Sequence, residues 1–407
     1  MNSANAILSI FALVYAGMFI GRLPGLALDR TGVALLGAVL LLVFGLVTPT
    51  AAWAAIDVPT MLLLVGLMIV SSQLRLSGFY ARLAWRLSHS SLPPDTLLAL
   101  LIGVSGLLSA VIGNDIICLA MAPVLIDGCA RRNLDPIPFL LGLACAANVG
   151  SAATLIGNPQ NILIGQALNM SFAGYMLDGG VPALLGLAAT WWIIRRQVAG
   201  QWERITPAPE LNSPGFNTWQ TGKGLVIVAA LMGFFLFAPW PRDLICMAAV
   251  ALVMISRKTT SHALLAAVDW QLAVLFMGLF VVNHSLQDSG WLQYFTDSAH
   301  AGGVDLSHPG WLFAVTVGLS NLVSNVPAVM LLIPSSHGPL GGTILCLAST
   351  LAGNLFIVGS IANIIVVEQA QRLGVRISWS RHARTGVPVT LVTLLLAAGW
   401  LTLRAYF

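Results

Sequence analysis

Apolar runs follow one another almost without pause from residue 5 to residue 403 of this chain, with only short polar loops between them. Hydrophobic residues make up 57% of the chain and charged residues 8%, so it lacks the polar surface that a water-soluble fold needs. A mean hydropathy of +0.88 belongs to a chain solvated by lipid. Inside hydrocarbon every backbone amide and carbonyl has to be paired, which a helix does within one segment. The chain is therefore read as an all-α polytopic membrane protein. Its first residues, MNSANAILSIFALVYAGMFIG, carry no basic n-region and are expected to remain as a first span.

A hydrocarbon core of about 30 Å takes roughly 20 residues of helix. On that measure spans are expected at 5–21, 31–54, 58–74, 138–170, 181–196, 223–239, 243–256, 268–285, 343–371 and 386–403. Two further apolar stretches, 96–127 and 309–335, are cut in the middle by Gly113-Asn114-Asp115 and Ser324-Asn325-Val326. Their arms are mostly short for a crossing, so each is expected to be a re-entrant helical hairpin. With both hairpins returning to their own side, every Lys and Arg except Arg242 and Arg404 falls on one face, the bias of cytoplasmic loops. Both termini then face outward, on the periplasmic side of a cell (inner) membrane crossed by about ten helices. Arg75, Arg82 and Arg86, with Phe79, Leu83 and Trp85 between them, suggest a helix lying at the cytoplasmic interface.

Two other features bound the function. The formal charge of +4 is scattered through short loops, so no nucleic-acid partner is expected. Cys118, Cys129, Cys145, Cys246 and Cys346 have no metal-ligand spacing and read as reduced packing residues.

The chain repeats itself. IDVPTMLLLVGLMIVSSQLRLSGF (56–79) lies over VDWQLAVLFMGLFVVNHSLQDSGW (268–291), matching Asp57 with Asp269 and Ser77-Gly78 with Ser289-Gly290. GNDIICLAMAP (113–123) lies over SNVPAVMLLIP (324–334), and TLIGNPQNILI (154–164) over FIVGSIANIIV (356–366). The division that follows is a first repeat over 1–197, with hairpin 96–127 and broken helix 138–170. A cytoplasmic linker covers 198–222, and a second repeat over 223–407 has hairpin 309–335 and broken helix 343–371. The two hairpins open to opposite sides, so the repeats are inverted, and paired broken helices in inverted repeats point to a secondary transporter with its site near the midplane.

LIGNPQN (155–161) and VGSIAN (358–363) place Gly, Asn, Pro and Ser where a helix would otherwise continue. Unwinding there frees carbonyls and creates half-helices whose N-termini carry partial positive charge, so one place can hold an anion and a cation. The candidate substrate-binding residues are Asn114, Asn158, Gln160, Asn161, Ser324, Asn325, Ser360 and Asn363. The candidate ion-coupling residues are Gly113, Asn114, Asp115, Gly157, Asn161, Asn325, Gly359 and Asn363, and Na⁺ would bind at these same positions. Asp115 has no counterpart in the second half, where Val326 stands; it reads as a cation or proton site or as a hairpin cap. Glu368, in the half-helix after Asn363, would face a cavity or a basic partner if it has a role, and His284 is a proton carrier or an interfacial side chain; for neither is a functional role expected.

Together GND, LIGNPQN, SNVPAVMLLIP and GSIAN resemble the ion transporter superfamily, most closely its YbiR-type anion permeases, and are similar to divalent anion/sodium symporters and arsenite permeases. The resemblance covers almost the whole chain. It implies that Asn114 and Asn325 stand at the hairpin tips, where the symporters carry Ser-Asn-Thr, and that Gly157 to Asn161 and Gly359 to Asn363 complete sodium sites. It also implies a homodimer with an elevator mechanism. The expected function is secondary transport of a small anion, inorganic or carboxylate, coupled to Na⁺ or H⁺, with no other cofactor. An arsenite or metalloid efflux permease and a Na⁺/H⁺ antiporter using Asp115 are the alternatives. An enzyme is not expected, since no HExxH occurs and the seven histidines lie mostly near loops.

Overall fold

The computed structural model describes residues 3–21, 23, 25–204 and 215–406. Among these residues the regular structure is helical, with isolated bridge positions at Asp29 and between Leu134 and Glu203. The first ten helices are α1 (Ser3–Ile20), α2 (Arg30–Val43), α3 (Pro49–Ala54), α4 (Val58–Leu76), α5 (Phe79–Ser88), α6 (Pro94–Ile112), α7 (Asn114–Arg131), α8 (Pro136–Ser151), α9 (Pro159–Ala167) and α10 (Phe172–Val198). The next ten are α11 (Thr218–Phe237), α12 (Arg242–Met254), α13 (Ser261–Ala266), α14 (Trp270–Asp288), α15 (Trp291–Ala301), α16 (Pro309–Val323), α17 (Asn325–Leu332), α18 (Gly341–Ala352), α19 (Ile361–Arg372) and α20 (Trp379–Tyr406).

Each of the first ten has a counterpart ten places on, and the local chemistry that starts the helices is repeated with them. The hydroxyl of Thr48 caps α3 as that of Thr260 caps α13, and the carboxylates of Asp57 and Asp269 cap α4 and α14. Gly78 and Gly290 turn the chain through the left-handed region before α5 and α15. Packing follows the same exchange: α2 lies on α14 as α12 lies on α4, and α8 meets α19 as α18 meets α9. Counterparts α10 and α20 run antiparallel, since Gln197 at the end of α10 bonds Thr385 and the Arg384 carbonyl near the start of α20 (2.7 and 2.6 Å). At the opposite ends, Asp178 and Arg404 pair at 2.8 Å. The two halves are inverted repeats, and α8 and α18, buried along their whole length, form their common centre.

Several boundaries differ from the sequence expectation. The span expected over 31–54 is two helices, because Gly45 at φ 64° and the Thr48-Pro49 cap close α2 after 14 residues and start α3 afresh. The first hairpin does not have short arms: α6 and α7 hold 19 and 18 residues, against 15 and 8 for α16 and α17. Helices α10 and α20 run well beyond 181–196 and 386–403, through Pro182 and Pro388, because the charges that appeared to end them are neutralised in pairs such as Asp178–Arg404. Six helices, α1, α4, α6, α10, α11 and α20, are long and apolar enough to cross a membrane; α2, α8, α16 and α18 are shorter apolar helices.

Of the 198–222 linker, 205–214 lies outside the described residues, as does Arg22. The described ends are stitched to the first half: Asp135 donates its amide to Trp202 (2.7 Å) and Asn217 donates to Ser77 (2.9 Å). Helix α5 is the amphipathic segment expected around Arg82, whose guanidinium stacks on Trp85 at 4.8 Å. Arg75 is not part of it and sits in the last turn of α4.

Candidate functional site

Helix α8 stops at Ser151 and α9 starts at Pro159, whose ring suits a first helical position, while Asn158 caps it by accepting from the Asn161 amide (2.9 Å). Gly157 is required by closeness: a Cβ there would lie 2.2 Å from the Ser151 carbonyl oxygen. In the second half α18 ends at Ala352, a short 3-10 turn covers Ile357–Gly359, and α19 follows.

The two breaks meet, and they are tied by a reciprocal network. Asn161 donates to the Thr154 carbonyl of its own break (2.9 Å), and Asn363 donates to the Gly353 and Phe356 carbonyls of its own (2.9 and 3.2 Å). The side-chain oxygen of each then accepts from the other half: Asn161 from Thr350 (3.2 Å) and Asn363 from Asn148 (3.1 Å). Thr350 and Asn148 are themselves repeat counterparts, both 202 residues from their mates. The helix-start residues behave likewise, with Asn158 donating to Thr350 (3.1 Å) and Ser360 donating to Asn148 (2.7 Å). Gln160 also donates to Thr350 (3.3 Å). All of these side chains are buried, so the polar groups are satisfied by one another in a place with no bulk water.

The hairpin tips close on this network from both sides. Asn114 donates its amide to the Gly157 carbonyl and its side chain to Asn148, each at 3.2 Å. Gly113, at φ 98° and ψ 138°, makes the turn that brings it there, and Ser324 takes nearly the same conformation (82°, 158°) in the second hairpin. Asn325 is buried beside Gly353, and half-buried Asn321 lies beside Gly359, yet the side-chain oxygens of both have no donor. The two tips are thus unequal: the first is hydrogen-bonded to its break, and the second presents unpaired acceptors.

A cavity of about 130 Å³ reaches the first tip. Gly113, Asn114, Asp115, Asn158 and Pro159 line one wall, so the N-terminal ends of α7 and α9 both open on it. Ser71 and Arg75 of α4 and Asp269 line the other, with Arg75 held by the Ala267 carbonyl at 3.2 Å. Asp115 therefore faces a cavity rather than the break crossing, and Arg75 supplies a cation where an interfacial role was expected. Glu368 is exposed on α19, and His284 pairs with Asp288 at 3.3 Å one turn on, neither joining the network.

Asn148, Thr350, Ser151, Thr154 and Asn354 were not legible as site residues from the LIGNPQN and GSIAN motifs alone. Extending the 202-residue register upstream, LACAANVGSAAT over LCLASTLAGNLF, would have paired Asn148 with Thr350. No group of three or more metal-ligating His, Cys, Asp or Glu side chains exists among the described residues.

Residues 15–343 match the citrate transporter family, CitMHS. The silicon efflux transporter LSI3 of Oryza sativa subsp. japonica is 30% identical, with 91% of each chain covered. An uncharacterized transporter of Mycobacterium tuberculosis, MT2759, is 29% identical over 98% of this chain and 99% of its own length. The fold is similar to that of the YdaH transporter of Alcanivorax borkumensis, with a TM-score of 0.60, 13% identity, and coverage of 100% of this chain and 99% of that one. The chain of inverted repeats whose broken helices meet in a buried polar crossing thus belongs to the citrate transporter family, a membrane transporter and not an enzyme.

Proposed function

We propose that the chain is a secondary active transporter of a small anion, inorganic or carboxylate, coupled to Na⁺ or H⁺. One observation carries the anion: the N-termini of α7 and α9 and the guanidinium of Arg75 open on a single cavity. Two helix N-termini place partial positive charge at one spot and Arg75 adds a full charge, facing the carboxylates of Asp115 and Asp269 on the walls of the same cavity. The unpaired oxygens of Asn321 and Asn325 support a coupling cation at the second tip, since buried acceptors without a donor suit a Na⁺ ion. Asp115, also on the cavity wall, would carry the proton in an H⁺-coupled cycle.

In this reading both termini face the periplasm of an inner membrane, and α6–α10 with α16–α20 move as a unit against the remaining helices in an elevator cycle within a homodimer. A second reading has its own observation. The break crossing contains no Arg or Lys, only amides and hydroxyls, which suits a neutral hydroxide such as arsenite or silicic acid. The relative named as a silicon efflux transporter gives that reading weight.

The deciding experiment uses purified protein in liposomes offered sulfate, phosphate, succinate, citrate, arsenite and silicic acid, with and without Na⁺ and a pH gradient. Gradient-coupled uptake of an anion, lost at least tenfold in both Asn161→Ala and Asn363→Ala with the fold retained, is the expected result. Electrically silent flux of arsenite or silicic acid alone moves the assignment to the second reading. Full flux in both variants removes the crossing as the site.

A further inference from the structure

Beneath each break lies a second repeat-matched contact, made by the helix that follows it. Tyr175, in the first turn of α10, donates its hydroxyl to the Ala152 carbonyl at 2.7 Å. His382, in the first turn of α20, lies with Nε2 3.1 Å from the Asn354 carbonyl. Ala152 and Asn354 are counterparts in the 202-residue register, and each carbonyl belongs to the turn where its helix gives out. Four residues beyond each ring comes a glycine, Gly179 or Gly386, against which the same carbonyl packs; a Cβ there would stand 2.7 or 2.3 Å from it. The two sites are one device built twice, with a phenol in one half and an imidazole in the other.

Both rings are buried at 2% exposure. A carbonyl only accepts, so the contact requires a proton on Nε2 of His382, and Nδ1 has no hydrogen-bond partner among the described residues. That nitrogen is free to take a second proton. The charged groups on the elements packed around this part of α20 are Arg381 and Arg384 on α20, Asp135 at the head of α8, 3.9 Å from Arg381, and Arg195 and Arg196 at the end of α10. The remaining titratable groups are the thiols of Cys145 on α8 and Cys346 on α18. None of these hydrogen-bonds the imidazole.

We propose that His382 is a positioning residue that holds the second break through the Asn354 carbonyl and releases it in acid, whereas Tyr175 holds the first break at every physiological pH. The physical reason is the cost of burying an imidazolium whose Nδ1–H has no acceptor, a cost that outweighs the bond from Nε2–H to Asn354 and drives the charged ring toward water. One half of the transporter is then fastened by a titratable latch and the other by a fixed one. This rests on the transport reading for its consequence in flux, though not for the latch itself.

Two readouts test it. In proteoliposomes His382→Ala is expected to lose flux tenfold or more, and His382→Gln, which keeps a donor without titrating, is expected to recover most of it with a flatter pH profile between about pH 5 and 8. Separately, Val358→Cys places a thiol on the exposed face of the second break. Its maleimide labelling rate is compared in the His382 and His382→Gln backgrounds at each pH, so that the thiol's own ionisation cancels. The ratio is expected near one at pH 8 and to rise threefold or more in favour of the histidine protein by pH 5.5. A flat or falling ratio, or wild-type flux in His382→Ala, overturns the proposal. The labelling needs no substrate, so it decides on His382 even where the wild-type protein moves none of the solutes offered.

Discussion

Asn148 serves four neighbours at once. Its oxygen accepts from Asn114 and Ser360, and its amide donates to Asn354 and Asn363, at 2.7–3.2 Å. Its counterpart Thr350 has one hydroxyl, shared among Asn158, Gln160 and Asn161. A buried polar group deprived of its partner costs about 1–3 kcal/mol. Asn148→Leu is therefore expected to lower thermal stability in detergent clearly and to abolish flux, because it strands groups from three elements. Thr350→Val, nearly the same shape, is expected to lose less stability while still reducing flux about tenfold, because Asn158 and Asn161 lose the group that fixes their rotamers. Equal melting curves and equal flux for both variants and wild type would mean that the crossing neither binds nor positions. These residues escaped a reading of the sequence for a simple reason. Asn148 and Thr350 sit inside helices of ordinary composition, and nothing local marks them; only the meeting of two distant breaks gives them partners.

At the level of elements, the hairpin tips carry the same backbone turn with different residues. Gly113 adopts it freely, but Ser324 at φ 82° and ψ 158° occupies a region that is almost exclusive to glycine. Such strain costs about 1–3 kcal/mol, and the extra freedom of an unfolded glycine costs about 0.5–1 kcal/mol. Ser324→Gly is thus expected to stabilise the protein by about 1 kcal/mol, read as an upward shift in thermal unfolding. If the serine hydroxyl contacts substrate, the same variant should bind substrate more weakly, so stability and apparent affinity would move in opposite directions; a drop in both would assign Ser324 a packing role instead. Most of the fold was legible in the sequence, because apolar length, Gly and Pro punctuation and the 212-residue match of Asp57 with Asp269 are properties of the chain itself. Helix ends were less so: the Gly45 turn that divides 31–54, and the distant Arg404 that lets α10 begin early around Asp178, depend on conformation and on partners far along the chain. For the site, the motifs led to the breaks and tips, whereas the cavity wall with Arg75 arises only where α4 comes to face α7 and α9.

Across the whole molecule the two halves match in elements but not in how tightly the hairpins are held. On the first-half side a cavity separates α4 from the tip of α7. On the other side the hydroxyl of Tyr15 on α1 lies 2.7 Å from the Asn283 oxygen of α14 and 3.2 Å from the Pro327 carbonyl of α17, tying the second hairpin to helices of both halves. In the proposed transport cycle, a transporter that opens alternately to each side would exchange these two conditions, and on that proposal this structure would stand at one end of the cycle, open at the first tip and closed at the second. A single buried hydrogen bond contributes about 0.5–1.5 kcal/mol, which amounts to a roughly two- to tenfold bias in the equilibrium between ends. Tyr15→Phe removes the tie and keeps the ring, which stacks on Phe11 at 4.2 Å. A cysteine at Ile116, on the cavity wall, reports the open end, and the five native cysteines are buried. Labelling of Ile116→Cys by a membrane-impermeant maleimide is expected to slow two- to tenfold when Tyr15→Phe is added, as the population moves toward the opposite end. An unchanged rate would show that the Tyr15 contact does not set the balance, and a faster one would place Tyr15 on the side of the opposite state.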